Sequence, residues 1–323
     1  SKNACVDFAG YANAKFLAAN PVPGDRTSWG AFEMLDERSN AVQRQLAEQA
    51  AARADTAGVD KIVGDFWATG TDEAKIEAQG IAPMQEELAA IDALADAKGI
   101  AEYLRATAAK GRNPLFNFGA EADFKNSGQN IAYAMQGGLG LPDPSYYTKP
   151  ENKAKLDAYQ AHAAKVLELA GASAADAARQ AADVVAFETR LAKVSKTSEE
   201  LARDVSLYYN PIAPAEADKL TPNFPWTAFI QSQGIAAQPM ISLSNPAFHQ
   251  EVSTMLAEVD PATWRAFLRF RAIDGASPYL SKAFVQEHFD FYSKTLRGQK
   301  EMRPTWKRVL GTLNNQAGEA LGQ

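Results

Sequence analysis

The sequence predicts a mainly α protein, on three observations. Alanine-rich stretches carry apolar residues at helical spacing, strand-like alternation of Val, Ile and aromatic residues is scarce, and helix-start signals recur. Thr197 with Glu200 makes a capping box. Asn245-Pro246 and Asp260-Pro261 each set a cap residue before a proline at the first helical position.

In chain order, helices are expected at 31–54, 59–69, 72–79, 83–92, 99–110, 151–171, 174–194, 197–208, 214–220, 225–233, 246–257, 261–275, 277–296 and 304–320. In the first, Phe32, Leu35, Val42 and Leu46 follow one face, with Asp36, Glu37, Arg38 and Arg44 elsewhere. In 261–275, Trp264, Phe267, Leu268 and Ile273 form a broader apolar surface. Both stripes read as helix packing on helix. Irregular segments are expected at 18–30, 111–150, 209–225 and 234–246, and loops as long as 111–150 are functional or specifically packed. No repeat, low-complexity tract or Gly/Ser linker marks a domain cut.

With 323 residues, 46% of them hydrophobic, the chain can fill a sizeable core. The net charge of −6 argues against a nucleic-acid partner, since the richest basic run, Arg297 to Arg308, also carries Glu301. No window of about 18 apolar residues predicts a membrane span. The opening SKNACVDF has no apolar run before it, so any signal segment is expected to have been removed or never present. Cys5, the sole cysteine, has two readings: a small buried thiol, or half of a disulfide to another polypeptide.

The stretch QGGLGLPD, from Gln136 to Asp143, tests as a phosphate loop and fails. Gly140 is followed by Leu141 and Pro142 where a Walker loop needs lysine and a hydroxyl, and Pro142 removes a backbone donor. What remains is a backbone able to take positive φ, then a proline-bounded turn and the paired Tyr146 and Tyr147. That predicts a folded surface loop pinned by aromatics.

No catalytic centre assembles from the residues. His162, His249 and His288 are too far apart in sequence for HExxH, and each reads as a surface or packing histidine. G-x-S-x-G is absent, and Cys5 has no neighbouring base. Asp36-Glu37 and Glu199-Glu200 read as solvated or capping acids, and Asp123 and Asp143 as loop acids.

Seven blocks nevertheless have a familiar shape: CVDFAGYANAKFL (Cys5 to Leu17), PGDRTSWGAFEML (Pro23 to Leu35), DFWATGTDEAKIEAQGIAPM (Asp65 to Met84), FKNSGQNIAYAMQGGLGLPDPSYY (Phe124 to Tyr147), RDVSLYYNPI (Arg203 to Ile212), FVQEHFDFYSKTLRGQKEMRPTWKRV (Phe284 to Val309) and GEALGQ (Gly318 to Gln323). Together they resemble the neprilysin and endothelin-converting-enzyme family of zinc metallopeptidases over nearly the whole chain.

The resemblance implies a large multi-helix lobe that covers a thermolysin-like catalytic lobe, whose zinc-binding half is absent from this chain. It implies that zinc is held by two histidines of HExxH and a later glutamate in that C-terminal half, so this chain alone is expected to be inactive. It further implies an exported, periplasmic or extracellular endopeptidase of short peptides that selects by the size of an enclosed chamber. On the same basis 1–30 is expected to pack on the catalytic lobe, 31–303 to form the chamber lobe, and 304–323 to connect toward the missing half. Both end segments are therefore expected to expose apolar surface in the isolated chain.

Ser28, Trp29 and Phe32 are the candidate substrate contacts. Many animal members carry arginine where Ser28 stands, to grip a substrate's terminal carboxylate; a hydroxyl cannot replace that charge. Ala14 stands where the family usually has glycine, and Val309 where disulfide-rich relatives have cysteine. Cys5 matches a family cysteine whose partner lies in the missing half. The alternative function is a stand-alone helical module that binds peptides without cleaving them.

Overall fold

The computed structural model describes residues 3–53 and 57–322, which fold as two compact units: Ser1–Gly80 with Tyr279–Gln323, and Ile81–Pro278. These limits differ from the expected divisions at 30/31 and 303/304, because the last helix packs on the second and third. The first unit begins with α1 (Phe8–Ala19), where the Asp7 carboxylate accepts the Gly10 N–H at 2.8 Å. This helix is not among those expected; its large apolar residues, Phe8, Tyr11, Phe16 and Leu17, are all exposed and trace no buried face. Then come α2 (Ala31–Ala52), α3 (Gly58–Thr71) and α4 (Glu73–Gln79).

The second unit holds α5 (Gln85–Asp92), α6 (Ala97–Ala108), β1 (Phe116–Ala122), β2 (Asn130–Gln136), α7 (Ser145–Thr148), α8 (Lys153–Leu169), α9 (Ala174–Val194), α10 (Ser198–Arg203), α11 (Val205–Tyr208), β3 (Pro211–Ile212), α12 (Pro214–Leu220), α13 (Trp226–Ser232), β4 (Ile241–Leu243), α14 (Pro246–Glu258) and α15 (Pro261–Ala276). The chain then returns to the first unit as α16 (Lys282–His288), a π-helical stretch Phe289–Thr295, and α17 (Thr305–Gly322), kinked at Ala317.

The segments expected to be irregular contain a four-stranded sheet of order β1-β2-β4-β3. Phe116 to Ala122 lies antiparallel to Asn130 to Gln136, β2 runs parallel to β4, and β3 antiparallel to β4. Alanine and glycine at alternate positions, and strands of two or three residues, hid the period from a sequence reading. The expected helix at 197–208 is two helices, since Asp204 takes extended backbone and its carboxylate caps the second by accepting the Ser206 N–H at 2.9 Å. The expected helix at 277–296 is broken into a 3-10 turn, α16 and the π-helical stretch.

The capping box at Thr197 and Glu200 is present, and Asp260 caps α15. Asn245 does not cap with its side chain: it takes φ 48°, and its amide donates to Gln136 Oε1 at 2.8 Å and to the Val194 carbonyl at 2.9 Å.

Packing corrects the expectation for the first apolar stripe. Phe32, Leu35, Val42 and Leu46 are 86%, 58%, 58% and 47% exposed. The face of α2 that packs is the small one: Ala47 and Ala50 join Val63, Trp67, Leu310, Leu313 and Leu321 in one core. A Cβ on Gly64 would come within 2.7 Å of the Ala50 carbonyl oxygen, so glycine there permits the close crossing of α2 and α3. The apolar surface expected to be exposed in the last segment is covered within this chain: Leu310, Leu313 and Leu321 are buried. Segment 1–30 does expose Val6, Phe8, Tyr11, Phe16, Leu17 and Val22.

In the second unit the stripe of α15 is core as expected, with Trp264, Phe267, Leu268 and Ile273 buried. The Phe187 ring of α9 meets Trp264 at 4.7 Å and Phe267 at 4.2 Å. A second aromatic group seats the sheet: Phe116 packs edge-on to Trp226 and Phe229 at 5.2 and 5.4 Å. Each such buried ring contributes roughly 1.5–3 kcal/mol of transfer free energy.

Candidate functional site

The segment carrying Ser28, Trp29 and Phe32 is anchored by its backbone and by charge. The Gly24 carbonyl accepts the N–H groups of Lys300 and Glu301, at 3.2 and 2.9 Å. A Cβ on Gly24 would run into the Glu301 carboxylate, so glycine allows that approach. Arg26 donates to Asp36 at 2.6 Å and to Glu37 at 2.7 Å, and Lys307 donates to Asp25 at 3.0 Å and to Glu37 at 2.8 Å. Asp36 and Glu37 are therefore ion-pair partners rather than merely solvated or capping acids. Burial pushes the Glu37 carboxyl up, but hydrogen bonds from Lys307 and Arg26 outweigh it and hold the group below the usual range.

On this base the Ser28 hydroxyl donates to Glu33 at 2.7 Å, and that bond leads the causes that lower the Glu33 carboxyl. Trp29 is half-buried, with the Arg26 guanidinium 5.6 Å from its ring centre, and Phe32 points into solvent from the first turn of α2. The local chain thus presents a hydroxyl, an indole and a phenyl together, with no general acid, nucleophile or metal donor set among them.

Metal chemistry does not fit the residues present. Among the described residues no group of three or more His, Cys, Asp or Glu side chains could hold a metal ion. His162 Nε2 lies 2.9 Å from Asp274 Oδ1 in the core, and His249 Nε2 donates to the Ala134 carbonyl at 3.2 Å. Burial brings the His249 pKa down to about 4, so its ring is neutral. Both are packing histidines. Cys5 is exposed, which overturns the buried-thiol alternative.

The glycine loop is pinned as expected, and its anchors extend beyond the paired tyrosines. The Tyr147 hydroxyl accepts the N–H groups of Gly140 and Leu141 at 3.1 and 2.9 Å and donates to Glu188 at 2.5 Å. Tyr159 donates to the other Glu188 oxygen at 3.0 Å. Burial pushes the Glu188 carboxyl up, and Arg271 with these donors pulls it back only in part. Gly138 takes φ 82°, and a Cβ on Gly140 would overlap the Tyr159 hydroxyl. Asp123 and Asp143 also find partners: Asp123 accepts from the Tyr209 hydroxyl at 2.6 Å, and Asp143 from the Ser198 N–H at 3.3 Å.

Beside this loop a cleft of about 280 Å³ opens at the start of β1, lined among others by Asn113, Asn117, Gly138, Ser198, Lys196 and Arg271. Sequence reasoning missed it, because its sides come from four separate parts of the chain, near 113–117, 136–144, 195–201 and 271, with no shared motif.

The comparisons agree with this architecture. Residues 4–323 match the sequence model for the N-terminal part of Peptidase family M13. Endothelin-converting enzyme 1 of Rattus norvegicus is 28% identical over 330 residues, covering 98% of this chain and 43% of that protein. Neprilysin-3 of Drosophila melanogaster is 25% identical over 341 residues, with 98% and 43% covered. The Mycobacterium tuberculosis zinc metalloprotease Zmp1, solved with an inhibitor, superposes with a TM-score of 0.90 at 31% identity, covering 97% of this chain and 48% of Zmp1. PepO from Lactobacillus rhamnosis shares the fold, with a TM-score of 0.85 at 21% identity and 100% and 51% covered. The chain thus spans about half the length of the relatives it matches. The family match over nearly every residue and the helical lobe common to these peptidases lead to one conclusion: this chain belongs to Peptidase family M13, as the N-terminal part of a neprilysin-like zinc metallopeptidase.

Proposed function

We propose that this chain is the non-catalytic part of a zinc endopeptidase that cleaves short peptides, and that it works together with a C-terminal half holding the zinc and the HExxH glutamate. The observation that carries this is the set of outward apolar side chains on each of α1 and α2: Phe8 is 70% and Leu17 57% exposed on the first, and Leu35 and Val42 are each 58% exposed on the second. Isolated large apolar groups on a surface need no explanation, but two helices that present them repeatedly fit a face covered by another protein body.

In this arrangement zinc is held entirely outside the chain, and Ser28, Trp29 and Phe32 face peptide substrate. Segment 1–30 packs on the catalytic lobe. The helical lobe walls a chamber that admits flexible peptides and excludes folded proteins. Exposed Cys5 is available for a disulfide to the other half, consistent with a site of action outside the cytoplasm.

The test mixes this chain with the HExxH-bearing half of the same protein and follows an apolar-surface dye alongside cleavage of a fluorogenic peptide. Dye binding is expected to fall on mixing, and cleavage to require both parts. Cleavage by this chain alone, or unchanged dye binding in an active mixture, would overturn the proposal.

A further inference from the structure

The stretch from Pro23 to Gly30 leads into α2 with few backbone bonds of its own. The Gly24 carbonyl is tied to Lys300 and Glu301, and the Arg26 N–H donates to the Pro23 carbonyl at 3.1 Å. The Gly30 carbonyl next accepts the Met34 N–H, as α2 begins. Among the described residues, Thr27, Ser28 and Trp29 enter no backbone–backbone hydrogen bond. Their place is set by side chains.

Arg26, Glu37, Lys307 and Asp25 supply them. The Arg26 side chain is only 7% exposed, and it donates from Nε and Nη2 to Glu37 Oε1 at 3.0 and 2.7 Å. Its Nη2 also meets the half-exposed Asp36 at 2.6 Å. Lys307, 15% exposed, donates to the same Glu37 oxygen at 2.8 Å and to Asp25 at 3.0 Å. Arg303 adds a longer bond to the Asp25 carbonyl, at 3.4 Å. One carboxylate oxygen thus collects three charge-assisted bonds from two cations. The low exposure of both cations sets these pairs apart from surface ion pairs, which water and salt screen.

The partners come from three elements of the first compact unit. Asp25 and Arg26 belong to the loop, Glu37 to the second turn of α2, and Lys307 to the first turn of α17, 270 positions beyond Glu37. Helix α17 is itself a firm base. Leu310 and Leu313 lie in the core with Ala47 and Trp67, and a Cβ on Gly70 would come within 2.7 Å of the Val309 side chain. Trp29 rests on the other end of the group, with the Arg26 guanidinium 5.6 Å from its ring centre.

We propose that Glu37 and Lys307 are positioning residues, which act through Arg26 and Asp25 to hold Ser28 and Trp29 beside Phe32 where peptide substrate meets the chain. Substrate contact at Ser28, Trp29 and Phe32 is the function proposed above, and the positioning role rests on it. Neither Glu37 nor Lys307 touches substrate. Glu37 keeps together two cations that would otherwise repel each other, and Lys307 passes the position of α17 to the loop through Asp25. A displacement of about 1 Å in a contact is enough to weaken binding. Loss of either charge therefore raises KM, while kcat, set by the zinc-bearing half, stays nearly constant.

The test uses fluorine NMR of the full chain labelled with fluorotryptophan, then kinetics of the peptidase assembled with its catalytic half. Trp29→Phe assigns the Trp29 resonance. Glu37→Gln and Lys307→Met should each move or broaden it and leave those of Trp226 and Trp264, in the other unit, in place. In the assembled enzyme Lys307→Met should raise KM about fivefold and Glu37→Gln about tenfold, with kcat within about twofold. Lys307→Arg, which keeps the charge, should restore most of the loss. Leu313→Ala, which weakens the core of the same unit, should lower the melting temperature but leave the Trp29 resonance and KM unchanged.

A Trp29 resonance that stays in place in both charge variants would overturn the proposal, whatever happens to KM. So would an equal rise in KM for Leu313→Ala, which would reduce the effect to general destabilisation. Trp29→Ala in the assembled enzyme separates the positioning role from the contact it serves. If Trp29→Ala raises KM and the charge variants do not, the positioning role is wrong and the contact stands. If Trp29→Ala leaves KM unchanged, the contact itself is wrong and the positioning role falls with it. Either charge variant suffices, so misfolding of one leaves the other to decide.

Discussion

Tyr147 and Glu188 share a 2.5 Å hydrogen bond in the core, and through it the backbone of Gly140 and Leu141 is held against α9. The buried carboxylate receives donors from Tyr147, Tyr159 and the Gly140 N–H, so no single substitution leaves the set satisfied. Tyr147→Phe is expected to cost roughly 1–3 kcal/mol. Glu188→Ala, which strands several donors, should cost about 3–5 kcal/mol, the range for breaking a buried charged pair. Urea unfolding of the single variants and their double variant checks this; costs that simply add would show that the residues do not act as one unit.

His249 sets an acid limit on stability. The folded ring stays neutral down to about pH 4, because burial among Phe248, Trp226 and Phe116 opposes the charge. An unfolded imidazole takes a proton near its ordinary value of 6.5. Between those values the unfolded chain binds the extra proton, so this contribution is fully present above pH 6.5 and is lost as pH falls toward 4. The loss amounts to about 3 kcal/mol. In His249→Gln, which can keep the bond to Ala134, the decline in melting temperature over this window should be shallower; an unchanged slope would contradict the assignment.

The exposed stripe on α2 predicts a separation of stability from association. Leu35→Ser and Val42→Ser should change unfolding free energy by no more than about 0.5 kcal/mol, because neither side chain is buried in this chain. The same changes should weaken binding of the catalytic half about tenfold each. Calorimetric titration of the two halves reads this directly, and loss of stability without loss of association would reverse the assignment.

Ser28 predicts an indifferent response to the substrate's C-terminus. Its hydroxyl is engaged with Glu33 and offers no positive charge. The assembled peptidase should therefore cleave a peptide acid and the corresponding amide with kcat/KM values within about threefold. Ser28→Arg should favour the acid by about tenfold, the range of one charge-assisted bond. An equal ratio in the variant would place Ser28 outside the substrate path.

Much of the helical architecture was legible because its signals are local. Thr197 and Glu200 announce their own capping box, and Trp264 and Phe267 mark a face that does pack. What escaped depends on distant partners. Phe32 and Leu35 carry the spacing of a packing face, yet this chain buries the small Ala47 and Ala50 instead, since the Gly64 backbone approaches there. Sheet pairing between Tyr133 and Ser242 joins residues more than a hundred positions apart, and β4 has three residues in which to show a period. The candidate contacts at Ser28, Trp29 and Phe32 came from family resemblance. The cleft at Lys196 and Arg271 has no local motif and emerges only from the folded chain.

On the function proposed above, the chemistry belongs to a partner half and not to this chain. Intact mass under native and denaturing conditions, with zinc quantified on the same sample, tests it most directly. The expected result is a zinc-free, inactive 34.8 kDa species when the chain is alone, and about one zinc per complex once the catalytic half is bound. A lone 34.8 kDa species that carries stoichiometric zinc and cleaves peptides would contradict it.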